Sequence, residues 1–205
     1  MKSLCDATFD QENLLSDTHL QFIPDFISAD EADGYFQALQ ADIEWCQDRI
    51  KLFGKAHNLP RLHQWYADDG LAYQWSGLKL EPQPWIRLLV ELRARVEQHT
   101  GHRFNSVLAN LYRDGNDSMG WHADDEPELG ESPVIASISL GATRDFHLRH
   151  KVRTQSASTR NISLLHGSLL LMSGTSQRDW LHSLPKRKRV TEPRINLTFR
   201  KIIRA

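Results

Sequence analysis

Gly120-Trp121-His122-Ala123-Asp124-Asp125-Glu126: these seven residues contain a His-x-Asp pair. On an extended strand, residues two apart point to the same face. The His122 imidazole and the Asp124 carboxylate would therefore meet at one point. A neutral imidazole and a carboxylate offered together are two parts of the 2-His-1-carboxylate triad, which holds non-haem Fe(II) and leaves coordination positions open. Taken alone the pair is weak, because a surface loop with a solvated histidine and a few acids reads the same way. The triad needs a second histidine from a distant segment.

That histidine is best sought near the C-terminus. His182, in Trp180-Leu181-His182-Ser183-Leu184-Pro185, follows the apolar run Ser168-Leu169-Leu170-Leu171-Met172-Ser173 and precedes a final strand pattern. In a closed β-barrel these pieces can meet. His147, His150 and His166 fall at strand ends or turns and are weaker candidates. The final pattern alternates: Arg194, Asn196, Thr198 and Arg200 are polar, whereas Ile195, Leu197 and Phe199 are apolar. Alternation puts the two sets on opposite faces. A half-exposed strand shows the same alternation. The two arginines, however, lie roughly 20 Å apart at about 3.3 Å per residue, and long side chains leaning inward would grip both ends of a small dicarboxylate. Arginine is the side chain whose fork pairs a carboxylate in bidentate fashion. Asn110 and Tyr112 share the i,i+2 spacing on an earlier strand, facing a pocket or forming a polar edge.

The 205 residues fit one domain with room for a real core. No apolar run approaches a membrane span. The start, Met1-Lys2-Ser3-Leu4-Cys5-Asp6, has no apolar signal core, so export is not expected. Cys5 and Cys46 lack metal-site spacing, and two free thiols in an intracellular chain is the simpler reading. The net charge is −1, but residues 1–50 hold 2 basic and 11 acidic residues against 23 basic and 15 acidic in residues 51–205. The larger part is basic, which is compatible with a polyanionic partner or with an ordinary mixed surface.

Residues 1–20 read as a loose acidic tail and 21–205 as one domain. A short strand is expected over Leu20–Ile27, interrupted by Pro24. Ser28 and Glu31 have capping-box spacing, and a helix from Ala29 to about Trp45 would bury Ala32, Tyr35, Phe36 and Leu39. Ile50–Lys55 suggests a short strand or hairpin tip, Pro60–Tyr66 an extended segment, Asp68-Asp69-Gly70 a turn, and Tyr73–Gly77 an aromatic loop. A second helix would open at Pro84 and run to about Thr100, with Leu88, Leu92 and Val96 inward and Gly101 ending it. From Phe104 onward short strands are expected near 104–113, 133–140, 144–150, 160–165, 168–173 and 194–202, with His166-Gly167 as a tight turn. Helices first and strands after imply an α+β chain whose core is a β sandwich or barrel.

The combination of His122-x-Asp124, His182 and Arg194-x5-Arg200 resembles the Fe(II)/2-oxoglutarate dioxygenases. The strings Asn110-Leu-Tyr112-Arg-Asp-Gly, His122-Ala-Asp124-Asp125-Glu126, Gly141-Ala-Thr-Arg144-Asp145-Phe146, His166-Gly167-Ser168-Leu169-Leu170, His182-Ser-Leu-Pro185 and Pro193-Arg194-Ile-Asn196-Leu-Thr198-Phe199-Arg200-Lys201 are similar to the AlkB family, closest to its branch that repairs alkylated DNA. The resemblance runs from about residue 50 to 203. It implies an α+β fold with a double-stranded β-helix (jelly-roll) core, two supporting helices and an N-terminal nucleotide-recognition lid over about 50–80.

It also implies Fe(II) on His122, Asp124 and His182, with 2-oxoglutarate and O2 as co-substrates. Arg194, helped by Tyr112, would take the distal carboxylate of 2-oxoglutarate. Arg200 and Asn110 would lie near the carboxylate on the iron, with Asn196 and Thr198 lining the same pocket. The implied reaction couples decarboxylation of the keto acid to hydroxylation of an N-methyl group on 1-methyladenine or 3-methylcytosine in DNA, and the hemiaminal collapses to formaldehyde and the repaired base. The base would be flipped out. Tyr73, Trp75, Ser76 and Arg61 would contact it, with Trp75 and His122 on its two faces; this branch often carries phenylalanine where Trp75 stands. Asp125 and Glu126 would attract the cationic methylated base. Phe53 would wedge into the gap it leaves, or is a core strand residue. Lys186-Arg187-Lys188-Arg189, extended by Arg149, Lys151 and Arg153, would touch DNA phosphates, or is a solvated or targeting run. A monomer is expected, in the cytoplasm of a bacterium or the nucleus of a eukaryote. An RNA demethylase, another 2-oxoglutarate-dependent hydroxylase, and a non-catalytic nucleic-acid-binding relative are the alternatives.

Overall fold

The computed structural model describes residues 18–52, 55–71, 73–75, 78–152 and 159–203. Its strands are β1 (Leu20–Ile23), β2 (Arg49–Leu52), β3 (Lys55–Asn58), β4 (Leu62–Ala67), β5 (Tyr73–Trp75), β6 (Leu78–Leu80), β7 (Ser106–Tyr112), β8 (Met119–His122), β9 (Ile135–Gly141), β10 (Arg144–His150), β11 (Arg160–Leu164), β12 (Ser168–Met172), β13 (Trp180–Leu184) and β14 (Arg194–Arg200). Its helices are α1 (Ala29–Asp42), α2 (Arg87–Thr100) and the single turn α3 (Ser176–Asp179). A six-stranded antiparallel sheet has the order β1-β12-β9-β14-β7-β4, and a four-stranded one the order β11-β10-β13-β8. Two hairpins, β2-β3 and β5-β6, stand apart from both. This is consistent with the jelly-roll core that the resemblance implied, within the sandwich or barrel that the strand pattern suggested.

Strand β14 explains the layering. It pairs with β7 on one side and β9 on the other. All seven of its residues are buried, so it is not the half-exposed strand its alternation also allowed. The odd face, Ile195, Leu197 and Phe199, joins a core with Leu39 of α1 and Leu89, Leu92 and Val96 of α2. The even face, Arg194, Asn196, Thr198 and Arg200, lines a cavity between the sheets. A second apolar cluster, including Ile135, Leu170, Phe146, Leu148, Ile162 and Trp180, joins the two sheets and borders that cavity.

The helices hold the large sheet from behind. The Ser28 hydroxyl bonds the Glu31 carboxylate at 2.9 Å rather than a helix amide, so the expected capping box is only half formed. Helix α1 ends at Asp42, short of Trp45. Its inward residues are Ala32 and Leu39, with Tyr35 and Phe36 packed at the margin. Helix α2 starts at Arg87, not Pro84, because Pro84 is followed by the extended Ile86. Its deepest residues are Leu89, Leu92 and Val96, with Leu88 displaced to the flank. Gly101 closes it in the left-handed region at φ 71°. The segment Tyr73–Trp75, read as a loop, is a strand paired with Leu78–Leu80; its aromatic residues suit a pleated ribbon. Strands β8 and β13 were absent from the strands expected from sequence. Among the described residues no helix is long and apolar enough to cross a membrane.

The His166-Gly167 turn is built on a steric requirement. Gly167 has φ +75°, and a Cβ there would lie 2.4 Å from the Ile27 carbonyl oxygen, while the Ile27 N–H donates to the Gly167 carbonyl at 2.9 Å. Gly167→Ala is therefore expected to cost roughly 2–3 kcal/mol, from left-handed strain plus the clash. Urea unfolding reads this directly, and a loss below about 0.5 kcal/mol would contradict the geometry.

Candidate metal centre and co-substrate pocket

His122 is the last residue of β8, Asp124 lies two residues on in the following loop, and His182 is the middle residue of β13. The β8-β13 register pairs His182 directly with His122, which is how residues 60 apart in sequence come together. Their Nε2 atoms are 3.1 Å apart, and His122 Nε2 is 3.7 Å from Asp124 Oδ1. The three donor atoms lie within 4.8 Å of one another. His182 is also stacked on Phe146 of β10, centroids 5.1 Å apart and planes at 26°.

The donors are prepared for a cation. Asp124 is 1% exposed. Its Oδ2 accepts from Arg200 Nη2 at 2.8 Å and Nε at 3.2 Å, whereas Oδ1 is buried without a hydrogen-bond partner. The His122 Nδ1–H donates to the Gly120 carbonyl at 2.9 Å, which leaves the Nε2 lone pair for a ligand bond. Burial would raise the Asp124 pKa, but the Arg200 guanidinium, then His182 and His122, hold it at about 2. Burial, with His122 beside it, pushes His182 down to about 3, and burial also lowers His122. Two neutral imidazoles, an ionised carboxylate and an orphaned carboxylate oxygen form a donor set that fits Fe(II).

The remaining polar residues surround this centre. Arg194 is 2% exposed. Its Nη2 donates to Ser139 Oγ at 2.9 Å, its Nε has no acceptor, and its guanidinium carbon sits 5.4 Å from the centroid of the Tyr112 ring. Burial brings its pKa down to about 10. A buried guanidinium with an unfilled donor, beside a phenol, fits a carboxylate. Arg200, expected near a carboxylate on the iron, lines the same cavity and grips Asp124 with its Nη2 and Nε. Asn110 Oδ1 accepts from Arg61 Nε at 2.8 Å, so Arg61 belongs to this cavity. The Asn196 amide donates to Ser137 Oγ at 2.8 Å and to the Ile138 carbonyl at 2.9 Å, and Thr198 Oγ1 donates to Asn196 Oδ1 at 3.1 Å. These two residues shape the wall.

The residues expected to meet a base or DNA are less gathered. Phe53, Ser76 and Arg153 lie outside the described residues, as does the tail before Thr18, and Tyr73 and Trp75 are described as backbone only. Asp125 is exposed and accepts from Lys151 Nζ at 2.8 Å, and Glu126 is half-buried. Neither lines the cavity. Lys186, Lys188 and Arg189 are exposed. Arg187 is not: it pairs with Asp145 and meets His147 Nε2 at 2.9 Å. Sequence reasoning assigned no supporting role to three residues, although Arg144 stood in one of the family-like strings. Ser139 meets Arg194. Gln177 meets the Asp124 backbone. Buried Arg144 donates to the carbonyls of Asp114, Asp117 and Pro185. None carries a local signal of its partner: Ser139 is a small polar residue in an apolar strand, while Gln177, between Ser176 and Arg178, and Arg144, between Thr143 and Asp145, read as surface.

Residues 19–200 match the 2OG-Fe(II) oxygenase superfamily. The chain is 49% identical over 181 residues to the DNA oxidative demethylase ALKBH2 of Bos taurus, covering 84% of this chain and 65% of that protein. It is 43% identical over 186 residues to the alpha-ketoglutarate-dependent dioxygenase alkB homolog 3 of Homo sapiens, covering 87% and 64%. The chain thus spans slightly under two thirds of the length of these relatives. A solved oxidoreductase of the 2OG-Fe(II) oxygenase family from Burkholderia pseudomallei shares the fold with a TM-score of 0.58 at 16% identity, covering 94% of this chain and 89% of that one. With the triad, the arginine-lined pocket and the jelly-roll in agreement, the chain belongs to the 2OG-Fe(II) oxygenase superfamily and, within it, to the AlkB family.

Proposed function

We propose that the protein removes N-alkyl groups oxidatively from bases in DNA, with 1-methyladenine and 3-methylcytosine as substrates and formaldehyde as product. The observation that carries this is one cavity in which the His122, Asp124 and His182 donors open beside Arg194; the name of the bovine relative supplies the substrate class. Fe(II) on the triad would supply activation of O2, with 2-oxoglutarate as the reducing co-substrate. The protein's own part is position. Arg194, beside Tyr112, holds the distal carboxylate of the keto acid. Arg200 keeps Asp124 ionised and turned, and the apolar residues Leu108, Phe146, Leu164 and Met172 on the same cavity exclude water.

The base must leave the stack to reach this centre. The β2-β3 and β5-β6 hairpins would form the lid over it, Trp75 and His122 would sandwich the base with Tyr73, Ser76 and Arg61 around it, and Phe53 would fill the gap it vacates. Asp125 and Glu126, next to the ligand Asp124, would favour the cation that N1 or N3 alkylation creates. The protein would act as a monomer where DNA is, in bacterial cytoplasm or eukaryotic nucleus. The deciding experiment measures formaldehyde from 3-methylcytosine oligonucleotides, DNA single- and double-stranded and RNA, with and without 2-oxoglutarate. Release from DNA that needs both Fe(II) and 2-oxoglutarate is expected. No release from any DNA would sink the proposal, and release from RNA alone would transfer it to RNA.

Exposed Lys188 and Arg189 are the phosphate contacts of this reading. Changing both to Ala is expected to weaken DNA binding and to reduce the slope of log K against log salt by roughly 1–2. An unchanged slope removes the basic run from the interface.

A further inference from the structure

Asp124 is held from two directions. Arg200 on β14 grips its carboxylate, and its backbone N–H donates to the side-chain Oε1 of Gln177 at 2.9 Å. Both residues are interior, Asp124 at 1% and Gln177 at 2% exposure. A buried N–H left without an acceptor costs about 1–3 kcal/mol, so this contact matters locally. It also fixes the glutamine amide, since only its oxygen can accept. The NH2 end meets Ser176 Oγ at 3.3 Å and Met172 Sδ at 3.5 Å, both long contacts. Gln177 lies in α3, immediately before β13 and its His182. One side chain therefore ties the loop that carries Asp124 to the element that delivers His182.

Asp124 lies beyond the end of β8, outside any strand, so no ladder fixes its peptide. We infer that Gln177 is a positioning residue of the metal centre: its carbonyl oxygen fixes the Asp124 peptide and thereby sets where Oδ1 is presented to the two imidazoles. This rests on reading His122, Asp124 and His182 as metal ligands. Gln177 does not line the cavity and acts through Asp124. Groups that orient a ligand from behind change metal affinity about 10–100-fold when altered.

The test titrates Mn(II) alone into the metal-free full chain and reads affinity by calorimetry. Gln177→Met keeps length and volume but has no carbonyl, and is expected to bind Mn(II) at least about tenfold more weakly. Gln177→Asn draws the oxygen back by one methylene and is expected to weaken binding as well; it carries the test where the Met variant does not fold. Ser176→Ala removes only a contact on the NH2 side and is expected to bind like the parent. In Gln177→Met the KM for 2-oxoglutarate at saturating Fe(II) is expected to stay at the parent value, a split that general loosening of the core does not produce. Parent-like Mn(II) affinity in a folded Gln177 variant overturns the inference, and so does an equal loss in Ser176→Ala. A parent that binds no Mn(II) overturns the metal reading, and this inference with it.

Discussion

His122→Ala is expected to abolish formaldehyde release while leaving the fold intact. The imidazole supplies one of three donors, and its Nε2 faces His182 Nε2 and Asp124 Oδ1. Losing it removes a chemical service worth several kcal/mol of barrier, so turnover should fall by a factor of at least about 10³. Stability should change little, because His122 sits at the end of an edge strand, is only half-buried and makes one hydrogen bond to its own segment. The measurement pairs formaldehyde release with thermal unfolding of the metal-free protein. Activity within tenfold of the parent would remove His122 from the metal set, and loss of activity together with unfolding would leave only a structural role.

Arg194→Met is expected to raise the KM for 2-oxoglutarate about 100-fold and to change kcat at saturating co-substrate much less. Truncating one partner of a buried, hydrogen-bonded charge pair costs about 2–5 kcal/mol, and the lost contact is to a part of the co-substrate remote from the reacting carbon. The same change should not lower the melting temperature of the metal-free protein. In that state the guanidinium is buried, with Ser139 Oγ accepting from its Nη2 and its Nε unfilled. Replacing a buried cation by an apolar side chain of similar size is often neutral or favourable. If Arg194 serves binding rather than stability, the two readouts should part. A KM within threefold of the parent would assign the distal carboxylate to another residue.

Legibility in sequence followed periodicity. The alternation in Arg194–Arg200 gave both faces of the central strand, and both faces found their partners, the helices and the cavity. Helix ends were marked less well: Pro84 looked like a first-turn proline, but the chain stays extended through Ile86. The strands carrying the histidines were the hardest to see. Met119-Gly120-Trp121-His122 has a glycine and only four residues, and β13 mixes apolar and polar residues with four of its five positions buried, so neither has a period-2 signature. That His122, Asp124 and His182 come together was legible because the chemistry of such a set restricts it to few residue types. Gln177, Ser139 and Arg144 were not, because a hydrogen bond to a backbone group leaves no pattern in the chain that supplies it. The turn of Arg200 toward Asp124 was likewise invisible, since its residue type suits either a co-substrate or a ligand as partner.

The direct pairing of His182 with His122 makes the centre depend on alignment as much as on composition. Neighbouring residues on a strand face opposite ways, so sliding β8 by one position against β13 would turn Trp121, now 36% exposed, inward and His122 out to solvent. Strand β8 is only four residues long, lies at the edge of its sheet, and its pairing is irregular between His182 and Leu184. Its own ladder is a poor guard against such an error. The contacts from Gln177 and Arg200 to Asp124 reach past the end of the strand and can be made in one alignment only. A slipped register would leave a buried N–H and a buried carboxylate unmet, a cost that falls on the misaligned chain before any metal or substrate arrives.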